Sequence, residues 1–318
     1  MGVDIFVLIS GYFLVTDDTK KTNIKKLFRI HGEIFFYSVS IYIICRLAGV
    51  ENFEIKSFIK TILPITFSSW WFASTYFVLF LVHPLINLLV KELDKKTYQK
   101  VLTFGILMWS VIPTFTLQSN QSNELIWFCV LYCTAGYIKL HGRNSSFTVK
   151  SWIIAFFIFT LIQFILDIWL IVSGIDNSNT INNALNGIQS VFTFGRALSL
   201  FMCFTKMQCG RSMIVNTIAS TTFGVYLIHD NNIIRPLLWQ HLFKNCLFRD
   251  SITIIPYSLL FTVLIFFSCL VIDLLRMHTI EKWYMRIVNS VENKCMTIIG
   301  HITLSIFKMV DCEKNSSD

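Results

Sequence analysis

The chain has 318 residues, of which 54% are hydrophobic, 15% aromatic and only 14% charged, with 30 Phe and a mean hydropathy of +0.61. Soluble globular proteins carry about 25% charged residues, so this composition excludes a soluble enzyme and a nucleic-acid-binding domain. The formal net charge is +8, from 27 Lys and Arg against 19 Asp and Glu.

Apolar runs of about 20 residues cross a bilayer core as helices, and the composition predicts an all-α, polytopic transmembrane bundle. Outer-membrane barrel strands alternate apolar and polar residues; these runs do not. Nine runs read as spans: 2–15, 34–50, 70–90, 101–117, 125–140, 152–173, 187–205, 213–229 and 252–275. Turn-forming or charged residues separate them, such as Asp17-Asp18 and Asp176-Asn177-Ser178-Asn179. There is no internal repeat and no soluble insertion, so residues 1–278 read as one transmembrane domain. Residues 279–318 read as a cytoplasmic tail, in which Met296–Val310 is expected to lie on the membrane surface as an amphipathic helix. No basic segment precedes the first run, so no cleavable signal peptide is visible.

Orientation follows from the basic residues, which concentrate on the cytoplasmic side of short loops. The connections after runs one, three, five and seven, with the tail, hold twenty Lys and Arg; the opposite connections hold six. Odd-numbered connections and the C-terminus are therefore expected in the cytoplasm. That parity puts Met1 outside, at the head of a run too short for an ordinary span. The expectation is that one helix precedes this sequence.

Ionisable residues within spans are costly and mark functional sites by default. Asp4, Asp167, Arg196 and Asp273 are such residues, with Arg196 the hardest to dismiss and Asp167 its candidate partner. Asp273, near an inner end, has the simpler reading of a snorkelling side chain. Trp70, Trp71 and Tyr76 read either as an interfacial aromatic belt or as an acceptor groove, and Tyr226 with His229 as an outer helix end or a catalytic pair. Ser10 and Gly11 are small enough to allow close helix packing. His83 reads as structural, and the nine Cys, which show no metal-ligand spacing, read as buried thiols with no metal site. Lys20, Lys21, Lys25 and Lys26 are topology determinants at the least, and a basic cluster of this kind with Arg29 also suits phosphate.

Three stretches go beyond general apolarity: Gly2-Val3-Asp4-Ile5-Phe6-Val7-Leu8-Ile9-Ser10-Gly11-Tyr12-Phe13 with Lys25-Lys26-Leu27-Phe28-Arg29; Trp70-Trp71-Phe72-Ala73-Ser74-Thr75-Tyr76, running on to Pro84-Leu85-Ile86-Asn87; and Phe223-Gly224-Val225-Tyr226-Leu227-Ile228-His229-Asp230-Asn231. In order and spacing they resemble membrane acyltransferase family 3, from residue 2 to about residue 275. The resemblance implies about ten spans of roughly 20 residues, and an acyl-CoA donor such as acetyl-CoA taken from the cytoplasm. It implies O-acylation of a hydroxyl on a cell-surface polysaccharide or lipid-linked glycan, in the plasma membrane of a bacterium. Carried over residue by residue, it makes Lys26 and Arg29 donor-binding, His229, Tyr226 and Asp4 catalytic, and Trp71 and Tyr76 substrate-binding; Arg196, the in-span charge outside those stretches, is also expected to bind substrate.

Two departures from the family pattern matter. The family's first span, which carries an Arg and a His taken as the base, has no counterpart here, so the chain by itself is expected to transfer weakly. Lys26 also stands where the family often has Arg, keeping the charge but losing the bidentate fork. A non-enzymatic translocator of glycan intermediates and an inactive, N-terminally truncated acyltransferase remain as alternative readings.

Overall fold

In lipid each backbone polar group has to be satisfied within its own segment, so apolar runs become helices. The computed structural model describes residues 1–16, 24–50, 54–117, 123–142, 147–173, 179–207, 210–248 and 251–290, and helix is the regular structure found among them. In chain order the helices are α1 (Gly2–Leu14), α2 (Ile24–Leu47), α3 (Ile55–Ile62), α4 (Trp71–Glu92), α5 (Lys95–Ile106) and α6 (Ile112–Thr116), the last two joined by a π-turn at Leu107–Val111. Then come α7 (Glu124–His141), α8 (Val149–Val172), α9 (Asn179–Asn186), α10 (Val191–Lys206), α11 (Met213–His229), the single turn α12 (Ile234–Pro236) and α13 (Ile254–His278). Residues 280–290 resume as helix; the expected surface helix at Met296–Val310 lies outside the described residues.

Among the described residues, five stretches are long and apolar enough to cross a membrane: Lys25–Leu47, Trp71–Glu92, Val149–Val172, Ala184–Lys206 and Ile254–His278. Gly2–Leu14 and Met213–His229 are apolar but shorter. Along α8 the side chains Ile154, Phe157, Leu161, Phe164 and Ile171 are all exposed, as a lipid-facing helix requires.

Side-chain oxygens start several of these helices by accepting the first unpaired backbone N–H groups. Asp94 caps α5, Asn123 α7, Thr148 α8, Ser190 α10 and Ser212 α11. Pro84 sits inside α4 and cannot donate to the Phe80 carbonyl one turn back. The buried His83 supplies the missing partner, its Nδ1 lying 2.5 Å from that oxygen.

The second run begins earlier than its apolarity indicates. Helix α2 starts at Ile24, so Lys25, Lys26 and Arg29 stand on its first turns and not in a loop. Lys, Leu, Arg and Glu are good helix formers, and charge at an aqueous helix end does not interrupt hydrogen bonding. The second connection also contains α3, which apolar length alone does not reveal.

The helices group into two compact units, Met1–Thr22 with Thr75–Gly210, and Asn23–Ser74 with Arg211–Asp318. In the first unit, α1, α4, α7 and α10 run in one direction. Phe6 stacks edge-on with Tyr76, and the Leu14 carbonyl accepts from Asn87 at 2.8 Å. Trp127 reaches Asp4 at one end of α1, while Lys139 lies over the Tyr12 ring at the other. The α5–α6 segment and α8 run oppositely: Tyr98 donates to the Cys133 carbonyl, Gly105 abuts Val130, and Phe147 at the start of α8 meets Lys206 at the end of α10. In the second unit, α2 and α11 both oppose α13: Tyr37 meets Asp273 while Phe28 meets Tyr284, and Gly224 meets Asp273 while Ser220 meets Met277. Within each unit, odd- and even-numbered runs therefore point in opposite directions.

Candidate functional site

Among the described residues, the candidate site residues and the buried charges gather in three places. The first is the end of the first unit where α1, α7 and α10 begin. Asp4 is fully buried there, accepting from the Trp127 indole N–H at 3.2 Å, with the Met1 ammonium 3.4 Å from its other oxygen. Trp127 packs edge-on against Phe194, two residues before Arg196. Arg196 donates to Thr193 Oγ1 at 3.4 Å and stands within electrostatic reach of both Asp167 and Asp4; its buried Nε has no hydrogen-bond partner. Asp167 accepts from Asn186 at 3.1 Å, and Gln163 bonds Asn186 in turn. Tyr76 is buried beside the same helix α1, its hydroxyl 3.1 Å from Ser10 Oγ.

Gly11 makes the close approach of α1 to α7 possible. A Cβ there would lie 2.8 Å from the Tyr132 carbonyl oxygen, which is backbone and cannot swing away. This is small-residue packing of the kind that brings membrane helices together.

The second place is the end of α11 in the second unit. His229 is half-buried, and its Nδ1 lies 2.7 Å from the Val225 carbonyl. A carbonyl oxygen only accepts, so in the neutral ring the proton sits on Nδ1 and Nε2 keeps its lone pair. Tyr226 packs edge-on to His229 at 6.3 Å and against Phe72 at 5.3 Å, and its phenol is near Asp230. Arg235 holds Asp230 at 3.3 Å. Trp71 is exposed, as a belt residue would be, but Trp70 and Tyr76 are buried. The belt reading fails for those two because each ring packs inside its own unit.

The third place is the opposite end of the second unit, where the Arg276 guanidinium gathers three carboxylates. Nε meets Asp273 at 2.7 Å, one terminal nitrogen meets Glu33 at 3.0 Å and the other meets Glu281 at 2.9 Å. Glu281 also takes Arg29 Nε at 2.6 Å. Asp273 does not snorkel; it is fully buried, since its short side chain reaches Arg276 one turn on and Tyr37 across from it. Tyr284 packs over Gly32 and donates to the Phe28 carbonyl at 3.1 Å, and burial pushes its phenol above the usual range. Lys26 and Arg29 are exposed on this end of α2.

The structure thus brings Asp4, Tyr76 and Arg196 to one unit, and Tyr226, His229 and Trp71 to the other. It does not bring Arg29 to His229. The Asp273 level lies eight residues past Arg29 and five before His229, so the two are about 20 Å apart along the helix axes. Glu33 and Glu281 escaped the sequence reading. Glu33 sits one turn beyond Arg29, an i,i+4 signal that was available; Glu281 lies past the last apolar run and carries none.

A family model described as an acyltransferase domain, Acyl_transf_3, matches residues 1–277. No curated protein and no solved structure gives a match. The matched segment holds α1 to α13 with Asp4, Arg29, Arg196, Tyr226 and His229, and leaves Glu281 and Tyr284 outside. With helices long and apolar enough to cross a membrane several times, this chain is a multi-pass membrane protein belonging to acyltransferase family 3.

Proposed function

We propose that the protein is an O-acyltransferase of a bacterial plasma membrane, crossing it about nine times. It moves an acetyl or similar acyl group from cytoplasmic acyl-CoA to a hydroxyl of a surface polysaccharide or lipid-linked glycan. The alternating helix directions within each unit support the nine crossings. Membership of the family supports acyl transfer as the reaction class.

The observation that carries the catalytic assignment is the His229 hydrogen bond to Val225. It orients the ring and leaves Nε2 as a lone-pair base, the state needed to take a proton from an acceptor hydroxyl near neutral pH. The acceptor oxygen then attacks the acyl carbonyl, and coenzyme A leaves as its thiol. Tyr226 walls the ring, and Trp71 offers an exposed aromatic surface near it on which a sugar can rest. Arg196, half-buried and with an unsatisfied nitrogen, offers the acceptor a second polar group, with the buried Asp4 within its electrostatic reach.

Acyl-CoA supplies the activated acyl group, and Lys26 with Arg29 would hold its phosphates. The residues fit that role: half of the Arg29 side chain is exposed, with Glu281 at its Nε. The test is transfer of labelled acetyl from acetyl-CoA to surface polysaccharide in membranes. His229→Ala is expected to lower kcat by about 10²–10⁴, and Arg29→Ala to raise the donor KM with kcat little changed. Full transfer by His229→Ala removes that histidine as the base, and unchanged donor dependence in Arg29→Ala removes the basic turn as the donor site.

A further inference from the structure

Beyond α13 the chain turns at Thr279 and resumes as helix over residues 280–290. Contacts with α2 fix the direction of this helix. Asp273 lies level with Tyr37; eight residues later Glu281 meets Arg29, eight residues earlier on α2. Up to that point the chain follows the α2 axis. Tyr284 then meets α2 at Phe28 and Gly32, on either side of the Arg29 level. A helix continuing along α2 would have moved on by ~4.5 Å in those three residues. This one has not, so it runs across the end of α2. Since Lys25–Leu47 is long and apolar enough to cross a membrane, residues 280–290 lie in the membrane plane, at the charged end that Lys25, Lys26 and Arg29 mark.

Around its axis this helix has three faces. Glu281, Tyr284 and Val288, at i, i+3 and i+7, form the face turned to the protein: Glu281 binds Arg29 and Arg276, and Val288 is buried. Ile280, Trp283 and Ile287 form a second stripe of the same spacing and are all exposed, Trp283 to 63%. Lys282 and Arg286, one turn apart and exposed, lie on the side away from the protein-facing residues. An apolar stripe beside a basic one, on a helix parallel to the bilayer, is the pattern of an interfacial helix. Trp is at home at that depth, and long basic side chains reach from it to the headgroups.

We infer that residues 280–290 are a surface helix seated on anionic lipid, with Ile280, Trp283 and Ile287 in the bilayer interface and Lys282 with Arg286 at the headgroups. Charge complementarity selects this occupant. Glu281, the acidic residue of the stretch, is on the protein-facing side beside two guanidinium groups, so the charge offered to lipid is positive. On the charge asymmetry of the connections this membrane face is cytoplasmic, where anionic lipids create a negative surface. The inference does not rest on acyl transfer, and failure of the His229 and Arg29 variants would leave it standing.

The test uses the full chain in phosphatidylcholine nanodiscs, into which phosphatidylglycerol or phosphatidylcholine with brominated acyl chains is titrated. Quenching of Trp283 is read as the difference between wild type and Trp283→Phe. Both brominated lipids should quench it. One basic residue at an anionic surface is worth a preference of about fivefold, so half-maximal quenching should need at least about five times less brominated phosphatidylglycerol than brominated phosphatidylcholine. Lys282→Gln/Arg286→Gln, which leaves the protein-facing residues intact, should bring the two titrations together, with quenching itself retained. Absence of quenching by either lipid, as when residues beyond 290 or a second copy of the chain cover the stripe, overturns the inference. Equal quenching by both lipids in the wild type, or an excess for phosphatidylglycerol that survives the double substitution, overturns it as well.

Discussion

The Tyr37 hydroxyl donates to Asp273 Oδ1 at 2.6 Å, joining residues 236 positions apart, and the same oxygen accepts from Arg276 Nε at 2.7 Å. Helices α2 and α13 are thereby fastened through a buried ionic cluster in which one guanidinium serves Asp273, Glu33 and Glu281. Such clusters are costly to assemble, but far costlier to leave half-made.

Arg276→Met, which strands two buried carboxylates, is expected to destabilise the protein by about 3–5 kcal/mol. Replacing Arg276, Asp273 and Glu33 together with apolar residues of similar size should cost less than that single change. Thermal unfolding in detergent compares them. A triple variant melting at the temperature expected from adding the three single losses would contradict the cluster's cooperativity.

Gly11 and Gly224 are set against neighbours with no room for a methyl group. At Gly224 a Cβ would run into the Asp273 carboxylate, and at Gly11 it would fall 2.8 Å from backbone. Each Gly→Ala change is expected to cost about 1–3 kcal/mol through overpacking. Gly210→Ala, with nothing within 4 Å of the added carbon, is the control. Melting temperatures for Gly11→Ala and Gly210→Ala that coincide would show that α1 and α7 do not meet there.

Asp94, in the connection between α4 and α5, accepts from Thr97 and from the Lys96 backbone N–H, and these bonds hold its carboxyl below the usual 3.8. Because its folded-state value is depressed, the cap's stabilisation is present above the unfolded value and is lost as pH falls through the folded one. Hydrogen exchange at residues 96–98 should therefore show protection near pH 7 that weakens below the carboxylate range. Asp94→Asn keeps a capping oxygen and should lose this pH dependence; the same acid-induced loss in that variant would assign it to another group.

The charge asymmetry puts the Asp94–Lys95 connection in the cytoplasm. On a cysteine-free background, Lys95→Cys is expected to resist impermeant maleimide added to intact cells and to react after permeabilisation. Labelling of that position from outside would reverse the orientation, and with it the side from which the proposed donor is taken.

Much of the fold can be read directly from residue order. The apolar runs at 70–90, 125–140, 213–229 and 252–275 coincide closely with α4, α7, α11 and α13. Hydropathy is a property of each stretch alone, which is why it survives without knowledge of neighbours. The same measure misplaced the start of α2, because charge at a helix end lowers hydropathy without breaking the helix. It also missed α3, whose apolar face is too short to register as a span.

What the sequence determined by itself was helical class, the expected sidedness and the family, since composition, charge asymmetry and the GVDIFVLISGYF and YLIH strings are local or additive features. Only the tertiary structure decided which polar residues meet. It placed Asp273 under Gly224 and between Tyr37 and Arg276, set Asp4 against Trp127, buried Trp70 and Tyr76, and separated Arg29 from His229. Those partnerships depend on which helices become neighbours and at what rotation about their axes. Every apolar run satisfies its own backbone equally well in either case, so no single run specifies that choice; the close fit of glycines, rings and buried charges between helices does.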